Sequence, residues 1–247
     1  MIESSVKSGI ALVSMNHGKV NAMDLEFCRL LTDELKRIEA SDARAAVLTG
    51  NERVFSAGVD LVAALEGGQD YLNLFLPALV GCFKTIFQFS KPLIAAINGH
   101  AVAGGCILAT ACDRRLIHSK AKIGVPELRV GVPLPAIAIE IMRFAVAKEA
   151  LQSMVTVGKN YRDTEAIRVG LADSVVKKDE MLRLAFAEAE SLLAIPGQVF
   201  SVSKQQLRAP SIRRAAENES EFEASVFEIW NSPENLEVIR QFVAKRI

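Results

Sequence analysis

The sequence predicts an α/β fold that gives way to a helical C-terminal region. Short apolar runs ended by glycine or Asn-Gly alternate with segments of helical period as far as about residue 176. Beyond Ile195-Pro196-Gly197 only the helical period remains. Two small-residue turns, at 56–59 and 103–105, each feed a helix.

In chain order, residues 2–6 and 10–15 read as paired strands around Ser8-Gly9, followed by a turn at His17-Gly18-Lys19. Asn21-Ala22-Met23-Asp24 leads into a helix through about Glu39, with Leu25, Phe27, Leu30, Leu31, Leu35 and Ile38 at its apolar positions. Ala45–Thr49 is a short buried strand stopped by Gly50. Phe55-Ser56-Ala57-Gly58-Val59-Asp60-Leu61 is a turn before a helix, and Gln69–Phe89 is a longer amphipathic helix that Lys91-Pro92 stops. A strand at 93–97 follows. Arg114–His118 and Lys122–Gly124 read as strands, and Pro133 as the opening of a helix to about Val146. Lys148–Val157 and Thr164–Val169 are expected helices, with Thr164 as N-cap, before a strand at Ala172–Val176. Helices are expected over 179–194, 197–208, 211–230 and 233–245, the last opened by Ser232-Pro233-Glu234. The expected division is therefore a core over 1–195 and a helical region over 196–247. With no Gly/Ser linker between them, the tail is expected to pack rather than hang.

Composition narrows the function classes. The 247 residues suffice for a sizeable core, half are apolar, and 29 basic residues balance 29 acidic ones. No basic stripe or aromatic-interleaved patch suggests nucleic-acid binding. No apolar run is read as a membrane span. Met1-Ile2-Glu3-Ser4 has no charged-then-apolar leader. Cys28, Cys82, Cys106 and Cys112 sit in apolar settings without metal-type spacing, and His17, His100 and His118 are scattered. Reduced thiols, a cytoplasmic location and no metal are the expectations.

The stretch from Ile94 to Gly131 holds the chemistry. An apolar run ends at Asn98-Gly99, then Ala103-Gly104-Gly105 feeds the apolar segment Cys106–Ala111. A small-residue turn entering a helix leaves free backbone N–H groups at a partly positive end, with no bulky Cβ to keep a ligand oxygen away. Glu127 follows Pro126 in a loop between apolar elements. One carboxylate and one anion-stabilising turn make a minimal proton-transfer site, and the turn at 56–59 offers a second N–H.

With these motifs in order, the chain resembles the enoyl-CoA hydratase/isomerase (crotonase) family. The resemblance rests on Lys19-Val20-Asn21-Ala22-Met23, Phe55-Ser56-Ala57-Gly58-Val59-Asp60-Leu61, the Asn98–Asp113 stretch, Pro126-Glu127 and the closing Ser232–Arg246 helix. It implies a crotonase-like spiral of repeated ββα units with a C-terminal helical trimerisation region. It also implies a homotrimer or homohexamer, and a CoA thioester substrate with no separate cofactor. Matched residue by residue, it implies backbone N–H donors at Val59 and Gly104, Glu127 as catalytic acid/base, and CoA contacts at Lys19, Val20, Ala57, Asp60 and Leu61.

One position departs from the pattern. The family's hydratases carry two glutamates, and the first falls on Ile107, which cannot move a proton. Members with only the second resemble 3,2-enoyl-CoA isomerases, which need one base to take a proton from C2 and return it at C4. Shifting the double bond of a 3-enoyl-CoA is therefore the expected activity. A one-glutamate hydratase, with Glu140 or a water standing in, and an acyl-CoA-binding homologue without chemistry remain as alternatives. Glu127 has a plainer reading too, as a turn residue or a partner of Arg129, and Glu140 as a member of an ion pair.

Overall fold

The computed structural model describes residues 1–51 and 53–245. The first hairpin joins β1 (Ile2–Lys7) and β2 (Ile10–Met15). β3 (Ala22–Met23) and helix α1 (Leu25–Glu39) follow, and the Asp24 carboxylate accepts the Phe27 N–H to cap α1. Three strand–strand–helix turns come next. They are β4 (Ala45–Thr49), β5 (Val54–Ser56), the short β6 (Gly58–Val59) and α2 (Leu61–Gln88); β7 (Leu93–Ile97), β8 (His100–Val102) and α3 (Gly104–Thr110); and β9 (Arg114–His118), β10 (Ile123–Gly124), a 3-10 turn at Glu127–Val130 and α4 (Ala136–Ala145). After α5 (Lys148–Val157), β11 (Asn160–Tyr161), α6 (Asp163–Arg168) and β12 (Ser174–Val176), the chain continues as α7 (Met181–Leu192), α8 (Gly197–Asn231) and α9 (Pro233–Ala244).

The pairing turns this order into a spiral. The first strand of each turn joins one six-stranded sheet, β1-β2-β4-β7-β9-β12, parallel from β2 onward. The second strands join another, β11-β10-β8-β5, and β3 pairs with β6. Each turn thus climbs by one strand in both sheets. β4 and β7 are buried along their whole length, which is why they read as continuous apolar runs rather than alternating ones.

Several sequence expectations are corrected. The helix expected over Gln69–Phe89 ends at Gln88 and belongs to an element that starts at Leu61 and breaks at Gly68 (φ 58°, ψ −156°). By length and composition α2 is long and apolar enough to cross a membrane, contrary to the sequence reading, yet it is interrupted at Gly68, carries Pro77, and packs against α1, α4, α8 and α9. α4 starts at Ala136, not Pro133, because Leu134 precedes Pro135 and is pushed out of helical geometry. Thr164 is not an N-cap: α6 begins at Asp163 with Arg162 at the cap position. The two tail helices expected over 197–208 and 211–230 are one, α8, running through Pro210. Buried Arg208 and Ser211 anchor it on either side of the proline. Arg246, part of the closing-helix motif, lies outside the described residues.

α8 is tied to the spiral by a buried charge cluster. Lys204 Nζ donates to Asp113 Oδ2 at 2.6 Å, Arg208 donates to Asp113 Oδ1 at 2.8 Å, and Asp113 Oδ2 also accepts the Leu93 N–H. Burial lowers the Lys204 ammonium to about 8, against the pull of Asp113.

Candidate active site

The two small-residue turns abut. Gly58 has φ +87°, a conformation side chains resist, and a β-carbon there would lie 2.5 Å from Ala103 Cβ and 3.0 Å from the Gly104 nitrogen. Ala103 itself adopts φ 54°, ψ −133° without being glycine, local strain held by its N–H on Gly124 O at 2.8 Å. Its carbonyl accepts from Cys106 and Ile107, so Gly104 opens α3 with its N–H among the groups that have no intrahelical partner. On the facing strand, Ala57 and Asp60 donate their N–H groups to Val20 O and Met23 O, at 3.0 Å each. Val59 precedes Asp60 and is opposite Met23 in the β3–β6 pair, so alternation from the Asp60 donor turns its N–H away from β3.

Val59 and Gly104 both line a cavity of about 560 Å³, and so do Ile107 and Glu127. Glu127 opens the 3-10 turn after Pro126, and Gly131, in the left-handed region, closes it with its N–H on the Leu128 carbonyl. The Glu127 side chain is buried, and among the described residues its Oε2 has no hydrogen-bond partner. Desolvation raises its carboxyl to about 8. Arg129 does not pair with it: its Nε donates to the Val157 carbonyl at 2.6 Å. A buried carboxyl with one oxygen lacking a partner among the described residues, in a largely apolar cavity, is costly to folding, and it is a group able to exchange a proton at near-neutral pH.

The remaining sequence candidates separate. Lys19, Val20, Ala57, Asp60 and Leu61 lie outside the cavity lining, the first four on loops near Val59 and Leu61 at the start of α2. Asp60 is committed to capping α2, accepting from Val62 and Ala63 at 3.0 Å each. Glu140 follows its ion-pair reading and not that of a stand-in acid. It is fully buried but absent from the lining, held by Arg214 at 2.8 Å and Arg143 at 2.9 Å, so it straps α4 to α8. His100 accepts the Lys122 N–H through Nδ1 at 3.0 Å and serves the sheet. Cys106 and Cys112 are buried; burial raises Cys112 to about 12 and Cys106 well above its ordinary value, so both remain thiols.

Sequence reasoning missed two features. Asn21, fully buried at φ 48°, donates to Met15 O and Phe55 O and accepts the His17 N–H, fixing the 17–23 loop against β5. A buried asparagine between two loop motifs was the available signal. The cavity wall also draws on α8, through Glu219, Phe222, Glu223, Val226, Phe227 and Trp230. Their apolar spacing was legible, but not which surface they cover.

The comparisons with known proteins agree with this fold. The profile of the enoyl-CoA hydratase/isomerase family matches residues 5–247. A probable enoyl-CoA hydratase of Rhizobium meliloti (strain 1021) is 30% identical over 244 residues, covering 96% of this chain and 92% of the relative. The mitochondrial enoyl-CoA delta isomerase 1 of Homo sapiens is 26% identical over 218 residues, covering 87% and 72%. Among solved structures, human mitochondrial delta3-delta2-enoyl-CoA isomerase superposes with a TM-score of 0.94 over 99% of this chain and 97% of that one, at 22% identity, a likeness of fold. With the family profile matched over nearly the whole chain and a relative 30% identical over 96% of it, the chain belongs to the enoyl-CoA hydratase/isomerase family of acyl-CoA enzymes.

Proposed function

We propose that the protein isomerises 3-enoyl-CoA to 2-enoyl-CoA with Glu127 as the single acid/base. The observation that carries this reading is the presence in one cavity of a buried Glu127 carboxyl, its Oε2 without a hydrogen-bond partner among the described residues, and a fully buried isoleucine, Ile107. Ile107 occupies the position at which the resemblance places a hydratase's other glutamate. The other carboxylates in the lining, Glu219 and Glu223, are both on α8, and Glu219 is paired to Lys84 at 2.5 Å.

In the proposed cycle the thioester oxygen lies between the Val59 and Gly104 N–H groups. Glu127, ionised, takes a proton from C2. The electron pair moves into a dienolate whose oxygen is held by the two N–H groups, each contributing about 3 kcal/mol of transition-state stabilisation. Glu127 then returns the proton at C4, leaving the double bond conjugated with the thioester. No water enters the balance, and the Ile107 wall disfavours one. CoA is carried by the substrate, with Lys19, Val20, Ala57, Asp60 and Leu61 as its proposed contacts and no further cofactor. We further propose a trimer or hexamer, with the exposed Val199, Val202 and Leu207 of α8 as candidates for its buried surface.

The test is absorbance of the conjugated thioester on addition of 3-enoyl-CoA, beside its loss on addition of 2-enoyl-CoA in water. Faster isomerisation than hydration is expected, and Ile107→Glu is expected to gain hydration. Efficient hydration by the native protein without isomerisation would overturn the reading.

A further inference from the structure

The acyl side of the cavity is a channel between two helices. Along α2 it is walled by Leu76, Val80 and Lys84 at four-residue spacing, and along α8 by Phe222, Val226 and Trp230 at the same spacing. Four-residue spacing puts each set on one helix face, so the walls run lengthwise. From Glu219, which joins Lys84 across the channel at 2.5 Å, to Trp230 the α8 wall is about 16 Å long at the rise of a regular helix. Ile107, Val132, Leu134 and Ile137 add to an apolar surface far longer than a four-carbon acyl group covers.

Within this wall stands Gly81. It lies in the interior of α2 without the left-handed backbone that would require glycine, and beyond the adjoining backbone of its own helix nothing lies within 4 Å of the place where its Cβ would be. A glycine there weakens the helix relative to alanine, and packing gives no reason for it. What its bareness does is leave the channel open one turn before the Lys84–Glu219 pair.

We propose that the site selects long acyl chains, and that Gly81 is the specificity-determining residue over which the chain passes toward Lys84 and Glu219. The proposal rests on the acyl-CoA reading of the cavity, but not on which reaction Glu127 performs. Each methylene the channel covers raises affinity by up to about fourfold, until the channel is filled. A leucine at position 81 occupies the path and removes that gain for chains long enough to reach it.

Two measurements test this on the full-length native protein and on Gly81→Leu. Calorimetric binding of saturated acyl-CoA esters, from butyryl to palmitoyl, reads the channel without chemistry. kcat/KM for the matching 3-enoyl-CoA esters reads it with chemistry. Affinity and kcat/KM are expected to rise with chain length in the native protein, and Gly81→Leu is expected to cost the longest chains about tenfold or more while the shortest change little. Should Gly81→Leu lose its fold by circular dichroism, Gly81→Ala is expected to give a smaller loss confined to the longest esters. Length-dependent binding abolished at position 81, without any isomerisation, would retain this inference and overturn the proposed reaction. Preference for the shortest esters, or an equal effect of both substitutions at every length, would overturn the inference itself.

Discussion

Gly58 and Gly104 are held against each other so closely that a β-carbon on the first would sit 3.0 Å from the amide nitrogen of the second. The proposed pair of N–H donors is therefore set by contact between two turns that are 46 residues apart, and neither glycine has room to spare.

Gly58→Ala tests that contact. The added methyl meets Ala103 Cβ at 2.5 Å in a backbone conformation alanine resists, so the turn must move. Loss of one aligned donor predicts a fall in kcat on the order of 100-fold. Steady-state kinetics beside a thermal melt separates this from unfolding: the fall should persist at temperatures where the variant is folded.

Glu127 sets the pH dependence of turnover. A carboxyl held at about 8 by burial is mostly protonated at neutral pH in the free protein, and only the ionised form accepts the C2 proton. kcat/KM should rise with pH and level off above about 8. Glu127→Gln should bind acyl-CoA and lose most turnover at every pH; near-native rates in the folded variant would remove Glu127 from the mechanism.

The same group makes stability fall with pH. Between its ordinary value of 4.5 and its folded value of about 8, the folded chain holds a proton that the unfolded chain has released. Stability from this group is full below 4.5 and is lost as pH rises through about 8. Glu127→Gln cancels the loss, so its stability relative to native should improve by on the order of 3 kcal/mol between pH 5 and pH 8.5. Urea unfolding at the two pH values checks it, and a constant difference would contradict the buried-acid account.

Asp113 is the joint between spiral and tail. Asp113→Asn leaves Lys204 and Arg208 buried without their counter-charge. Removing one member of such a cluster costs about 3–5 kcal/mol, which for a chain of this size lowers Tm by roughly 10 °C. Calorimetry should register it; a Tm within a degree or two of native would show that α8 is held by apolar packing alone.

What the sequence determined is what local chemistry writes into it. Continuous apolar runs such as 45–49 and 93–97 mark strands buried on both faces, and the glycine-rich turns at 56–59 and 103–105 mark backbone that must come close to something. Glu127 was legible because a carboxylate after proline among apolar elements has no local reason to be there. The short strands β3, β5, β6, β8 and β11 were not legible, since two or three residues carry no period and exist only through their partners. For Glu140 the sequence offered an ion pair beside the possible acid, but not the partner, since Arg214 lies 74 residues away. α8 makes the point most fully. Pro210 divides it in the sequence, because a missing N–H is a local defect. The tertiary structure carries the helix through, because Asp113 binds Lys204 and Arg208 before the proline while the face after it closes the cavity, and long-range contacts of that kind outweigh one lost hydrogen bond.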